Sequence, residues 1–354
     1  MSINELVNNS VVSWMTADGP EADIIISSRI RLARSLAELP FPHLLSEEEK
    51  GRLMLDKVEE AIKPLPHLKM VMLSEISDLD RNILLEKHLI SPEHARNNSP
   101  FCGIITNNDG SVIAMVNEED HLRIQSILSG LQLNQAYRYA DDLDDSLEQT
   151  LDYAFDDQRG YLTACPTNLG TGMRGSVMLH LPGLTMTNRQ TQVFNSINQL
   201  GLTVRGLYGE GTEALGNFYQ VSNQITLGQN EEDILNNLWT VTEHVLEQER
   251  ATRNYLWSEM KYTLEDRVWR SYGLVTNARV VTSNEALALL SDVRMGIVMG
   301  ILPQVPNRVL NELIVAIRPA HLQKMAGREM DSDERDIFRA RVIKDMLTKN
   351  IKEG

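Results

Sequence analysis

The tetrapeptide Asn107-Asn108-Asp109-Gly110 sits between two short apolar runs, residues 101–106 and 111–116. Asp-Gly is strong hairpin chemistry, because glycine takes the positive φ that a tight turn needs. The two runs are therefore expected to pair as antiparallel strands. Other stretches repeat the theme. Residues 22–31 read as a strand that alternates from Ile26 onward, with Ile30 and Leu32 on one face and Arg29 and Arg31 on the other. Residues 161–181 and 202–227 form two further strand–loop–strand units, separated by a helix near 188–200. Ser46-Glu47-Glu48-Glu49 opens a capping box, and Leu53, Leu55, Val58 and Ile62 give a helical stripe that ends before Pro64. Residues 131–157 predict one long amphipathic helix through Ala136, Ala140, Leu143, Leu147 and Leu151. Hairpins interleaved with helices predict an α+β fold, an antiparallel sheet flanked by helices, and not a doubly wound one.

The texture changes after Asn230. Strand signals fade, and Ile234, Leu238, Val241 and Val245 begin a helix that runs to about Trp257. Ser283-Asn284-Glu285 opens another, and residues 331–349 form a last one. The expected organisation is a first domain over 1–254 and a smaller all-α domain over 255–354.

Composition narrows the class. Hydrophobic residues make up 42% of the 354 and proline only 12 positions, which excludes disorder as the main state. Two cysteines cannot form a disulfide framework and suit a reducing compartment. The first residues lack the basic and apolar regions of a secretory signal, and no run approaches the roughly 18 apolar residues of a membrane helix. A cytoplasmic protein is the expectation. With 34 Lys+Arg against 49 Asp+Glu the formal charge is −15, which disfavours nucleic acid, anionic membranes and, on the same arithmetic, phosphate.

Standard catalytic strings are missing: no phosphate-binding P-loop, no dinucleotide fingerprint, no kinase H-R-D or D-F-G, no zinc spacing and no G-x-S-x-G elbow. What recurs is arginine beside small residues or carboxylates. The four strings are Ser27-Ser28-Arg29-Ile30-Arg31, Asn117-Glu118-Glu119-Asp120-His121-Leu122-Arg123, Cys165-Pro166-Thr167-Asn168-Leu169-Gly170-Thr171-Gly172-Met173-Arg174 and Arg205-Gly206-Leu207-Tyr208-Gly209-Glu210. Each alone has an ordinary reading: a solvated strand face, a surface acidic patch, a buried small thiol. Together they offer five planar bidentate donors suited to polyphosphate and two carboxylates suited to a cationic acceptor.

These strings resemble the four active-site segments of the phosphagen (guanidino) kinases, over roughly residues 20–250. The C-terminal hundred residues are similar instead to bacterial McsB-type protein arginine kinases, through Arg335-Asp336-Ile337-Phe338-Arg339-Ala340. The resemblance implies that Arg29, Arg31, Arg123, Arg174 and Arg205 grip the phosphates of ATP, with His88 against the base. Ser27, Ser28, Ile30, Gly175, Ser176, Val177, Met178, Gly206, Leu207, Tyr208, Gly209 and Glu210 belong to the same nucleotide-binding strings. It makes Glu119 and Glu210 the clamps of the acceptor guanidinium, Cys165 the thiol beside it, and Glu118 a water-mediated contact to Mg²⁺. No direct protein ligand to metal is expected. Tyr208 stands where small-molecule arginine kinases carry another arginine.

The resemblance further implies that Arg335, Asp336 and Arg339 bind phosphoarginine at an allosteric site. A solvated helix carrying ion pairs such as Asp331–Arg335 and Arg341–Asp345 is the other reading of that segment. Implied partners are protein substrates with exposed arginine, among them a heat-shock repressor; an McsA-type activator; a Clp unfoldase-protease; and a second copy in a homodimer or higher oligomer. No nucleic acid or membrane partner is expected. The small-molecule relatives place a helical domain before their first arginine string, whereas Ser27 here follows only 26 residues. That favours arginine on a polypeptide over a free guanidino compound as acceptor, and the acidic surface would attract basic segments.

Overall fold

The computed structural model describes residues 3–206 and 215–351, without the side chains of 47–53. Ten strands form in chain order: β1 (Ile25–Arg34), β2 (Lys69–Met72), β3 (Gly103–Thr106), β4 (Val112–Val116), β5 (Leu122–Ser129), β6 (Phe155–Asp156), β7 (Gly160–Tyr161), β8 (Met173–His180), β9 (Leu202–Gly206) and β10 (Phe218–Asn223). Eight of them make one sheet, in the order β2-β3-β4-β5-β1-β8-β10-β9, while β6 and β7 pair separately. Every pairing is antiparallel. The hairpin expected at Asp109-Gly110 joins β3 to β4, with Gly110 at φ 70° and Asp109 accepting from the Ser111 amide at 3.0 Å.

Thirteen α-helices are described: α1 (Ile3–Asn8), α2 (Glu47–Ile62), α3 (Asp78–Glu86), α4 (Pro92–Arg96), α5 (Leu133–Glu148), α6 (Pro182–Met186), α7 (Gln190–Gln199), α8 (Glu231–Glu259), α9 (Lys261–Asn277), α10 (Ser283–Val298), α11 (Asn307–Ala316), α12 (Pro319–Ala326) and α13 (Ser332–Lys349). The helix expected over 131–157 is shorter. α5 ends at Glu148, Leu151 stays buried beyond it, and residues 155–156 turn into β6. The apolar spacing that runs on past the helix reflects burial of the following loop. The division expected between 254 and 255 falls inside α8.

Alternation along β1 does what its residues dictate. Ile30 and Leu32 are buried in the main core, together with Ile124 of β5, Val177 and Leu179 of β8 and the stripe Ala136, Ala140, Leu143, Leu147 of α5. α8 closes the same core with Ile234, Leu238, Val241 and Val245. Burying each such side chain is worth about 1.5–3 kcal/mol, so one whole sheet face is committed to packing. The opposite face is left for polar work. A second core, from Trp14 through Ile83, Leu84 and Met115 to Ile314, backs one end of that face.

Candidate active site

Sheet register decides which arginines meet. Arg31 of β1 lies opposite Arg174 of β8, and Arg123 of β5 lies opposite Ala33 of β1, two residues on from Arg31. Arg205 of β9 lies opposite Gln220 of β10, which itself pairs with Met178 of β8. Because side chains alternate with period 2, these pairings put Arg29, Arg31, Arg123, Arg174 and Arg205 on one face. All five line one cavity of about 870 Å³, with Ser27, Ser176, Met178, Gly206 and His88. Ser28, Ile30, Gly175 and Val177 belong to the same strings but turn the other way. Ile30 and Val177 are core residues, the Ser28 hydroxyl donates to the carbonyl of Gly130 at 2.8 Å, and a Cβ at Gly175 would meet Leu238 and Ile30. Leu207, Tyr208, Gly209 and Glu210 lie outside the described residues.

Clustered guanidinium groups oppose one another. Burial, then the charges of Arg123 and Arg174, brings Arg29 down to about 10, and burial with three neighbouring arginines also lowers Arg31 well below its usual value. Arg31 Nε is buried with no hydrogen-bond partner among the described residues. At an effective dielectric near 20, two like charges 4 Å apart repel by about 4 kcal/mol. A polyanion brought among them would reverse that sign and satisfy the buried donor. The residues present therefore fit the polyphosphate of a nucleotide.

The acidic string stands beside this cluster. Arg123 Nη1 donates to both carboxylate oxygens of Glu118, at 2.6 and 2.8 Å, and Ser91 donates to the same group. Burial alone would raise Glu118, but the charge and hydrogen bonds of Arg123, with those of Ser91 and the Glu119 amide, hold it low. Glu119 behaves oppositely. Burial, then Asp120 and Glu118, raises its pKa, while Arg123 and a side-chain hydrogen bond from Cys165 restrain the rise. The structure thus brings Glu119 and Cys165 together. Cys165 Sγ also lies 3.0 Å from Thr167 Oγ1. Asp120 pins the loop from below, accepting from the Ala164 amide at 2.6 Å and the Ser35 hydroxyl at 2.8 Å. A second, smaller cavity opens here, lined by Glu118, Glu119, Ala164, Asn97, Ser99 and His43.

His88 occupies a left-handed turn after α3, at φ 59°, where it closes the helix as glycine usually does. Its ring tilts against Trp14 at 5.7 Å, and burial, with the charges of Arg29 and Arg318, lowers its pKa to about 3. It is a neutral flat surface at the cavity wall. A non-glycine residue held there stores strain of about 1–3 kcal/mol, the kind found at ligand clamps. Among the described residues no group of three or more His, Cys, Asp or Glu could hold a metal ion. Mg²⁺ needs none, since it keeps water and phosphate oxygens and takes only one or two carboxylates.

The C-terminal arginines behave less alike than their spacing suggests. Arg339 is buried: its Nε donates to the carbonyl of Ile317 at 2.9 Å, its Nη1 to that of Val281 at 2.8 Å, and Asp336 pairs with it. Arg335 is half-exposed and donates to the carbonyl of Met330 at 2.8 Å. Asp331 caps α13 with Glu334, and Asp345 pairs with Lys349 at 3.1 Å. Those two carboxylates therefore serve other partners than the Arg335 and Arg341 that helical spacing offered.

Sequence reasoning missed part of the large cavity's wall. Glu86 of α3, and Ile314, Arg318 and Gln323 from α11, α12 and the link between them, also line it. No local signal marks Arg318, because its relevance arises only when chain segments more than 200 residues apart meet.

Known proteins resemble the chain in sequence and fold. Residues 51–252 match the model of the ATP:guanido phosphotransferase C-terminal catalytic domain, and residues 261–353 that of the protein-arginine kinase McsB C-terminal domain. A protein-arginine kinase of Syntrophomonas wolfei subsp. wolfei is 54% identical over 98% of both chains. One of Pelotomaculum thermopropionicum is 52% identical over 97% of this chain and 98% of its own. Among solved structures, the duplicated taurocyamine kinase of Schistosoma mansoni with bound transition-state analogue components aligns at a TM-score of 0.60 and 26% identity. That alignment covers 70% of this chain and 38% of the duplicated one. On these matches, this chain belongs to the protein-arginine kinase family of ATP-dependent guanidino phosphotransferases.

Proposed function

We propose that the protein transfers the γ-phosphoryl group of Mg·ATP to the guanidinium of arginine residues in proteins. The carrying observation is the convergence of five arginines on one sheet face next to a carboxylate of raised pKa that touches a thiol. A guanidinium has a pKa above 12 and no free lone pair, so it attacks only if its plane is held and a proton is removed. Glu119, whose pKa is raised by burial and by the carboxylates of Asp120 and Glu118, suits that base. Cys165 stands beside it to steer the cation. Glu210, outside the described residues, is the proposed second clamp. Arg29, Arg31, Arg123, Arg174 and Arg205 hold the phosphates and neutralise charge developed in the transfer, which asks mainly for in-line positioning. Mg²⁺, entering with the nucleotide, supplies further charge neutralisation.

The finer role follows the same reading. Phosphorylated proteins would be handed to a Clp-type protease, a heat-shock repressor would be one substrate, and an McsA-type protein would activate the kinase, all in the cytoplasm. Among the described residues, no helix is long and apolar enough to cross a membrane. Residues 1–254 would be the catalytic domain. Residues 255–354 would carry dimerisation and the phosphoarginine site at Arg335, Asp336 and Arg339, with Asp336 and Arg339 already poised as an ion pair.

Mass spectrometry of an arginine-rich protein incubated with the enzyme and Mg·ATP, under conditions that keep the acid-labile P–N bond, tests the reading. Phosphoarginine on the protein is expected. Exclusive phosphorylation of free L-arginine offered alongside would assign the enzyme to small guanidino compounds instead.

A further inference from the structure

The arginine cluster lines only part of the large cavity; helices distant from one another in the chain, α3 and the α11–α12 region, supply other lining residues. His88 and Glu86, at the end of α3, face Ile314, Arg318 and Gln323 from the α11–α12 region. The docking is specific. Glu86 Oε1 accepts from the Ala320 amide at 2.8 Å, and Oε2 accepts from the His321 amide at 3.0 Å and from His321 Nδ1 at 2.7 Å. Lys324 of α12 pairs with Asp80 of α3 at 2.8 Å. A carboxylate thus caps the first turn of α12, whose Pro319 at the first helical position has no amide to satisfy. Arg318, immediately before that proline, is half-buried, lines the cavity, and is close enough to His88 for its charge to depress the ring.

From this arrangement we infer that Arg318 is a nucleotide-binding residue supplied by the C-terminal helices, and that it holds the purine-ribose end of the ligand. The inference rests on ATP being the donor, as proposed above. The five sheet arginines already account for the phosphates. A cavity of about 870 Å³ is well within the range that encloses a ligand of nucleotide size. Besides the cluster it offers a neutral imidazole and a planar guanidinium, the two surfaces on which a flat base stacks. Glu86 is a positioning residue here, because it fixes α12 and with it the backbone next to Arg318.

Equilibrium binding of ADP, AMP and inorganic tripolyphosphate separates base from phosphate contacts without any turnover. In Arg318→Ala, the affinity for ADP and AMP should fall by about tenfold, the scale of one desolvated cation–π contact, while that for tripolyphosphate stays within twofold. Glu86→Gln keeps the guanidinium but loosens α12, and should weaken the nucleotides in the same direction by a smaller factor, again sparing tripolyphosphate. Thermal melts of both variants check that the fold survives. Unchanged ADP affinity in folded Arg318→Ala overturns the inference. Equal loss for tripolyphosphate also overturns it, because Arg318 would then be a sixth phosphate contact. A wild-type protein that binds neither ADP nor tripolyphosphate sinks the donor reading itself, a failure distinct from either of these.

Discussion

Glu119 and Glu118 are neighbours with opposite fates, and their partners make the difference. Glu118 faces Arg123 and is held ionised, whereas Glu119 is raised by burial and by two carboxylates beside it. A base works only when ionised, so the phosphorylation rate should fall as pH drops through the pKa of Glu119, at a pH above that of a free glutamate. The hydrogen bond from Cys165 lowers that pKa. Its loss in Cys165→Ala should therefore move the acidic limb of the rate profile to higher pH, and a limb that stays in place or moves down would contradict the coupling. Glu119→Gln should reduce kcat by about 10²–10⁴-fold with little change in KM for ATP. The types of these residues were legible in the string around them. Their opposite pKa shifts were not, because these depend on Arg123 of β5 pairing with Glu118.

At the scale of elements, the alternation along β1 stated correctly which face would be polar, and the Asp109-Gly110 turn correctly paired β3 with β4. Period-2 spacing survives in the sequence because one face must be buried. The end of α5 was misread, since buried loop residues keep apolar spacing without keeping a helix. Gly172, within the cysteine string, was visible as a residue type but not as a constraint. It sits at φ 62°, and a Cβ there would lie 2.6 Å from the carbonyl oxygen of Ala33. Gly172→Ala should cost about 1–2 kcal/mol for the backbone conformation alone, plus the clash, read as a lowered Tm. α13 offers another test. Removing one partner of a buried ion pair costs about 3–5 kcal/mol, and Arg339 also holds two backbone carbonyls. Arg339→Ala should therefore lower the Tm well beyond Arg335→Ala, whose side chain is half-exposed. Equal melting of the two variants would show that the ion pair and carbonyl contacts contribute little.

Over the whole molecule, net charge misleads when read as an average. The chain carries −15, yet gathers five arginines into one cavity. The acidic remainder acts at long range, where salt screens it within about 8–10 Å. For a basic protein substrate, kcat/KM should fall as ionic strength rises from 50 to roughly 300 mM, and free arginine should show a weaker dependence. Equal salt dependence would remove any steering role for the surface. The contribution of α11 and α12 to the cavity was the least legible feature of all. Arg318 is an unremarkable Arg-Pro junction in sequence, and only the approach of α12 to α3 gives it a location. Tertiary contact of that kind leaves no period to read.

The seating of α12 on α3 also bears on the order of events during synthesis. Ribosomes deliver a chain N-terminus first, at about 5–20 residues per second. The strands of the sheet, ending with β10 at Asn223, emerge well before residues 314–323. A nascent chain at that point can assemble the sheet but not the part of the cavity wall that residues 314–323 supply. Nucleotide would then have its full hold on the protein only once the last helices have emerged, which would delay competence to phosphorylate until the helical region has been made.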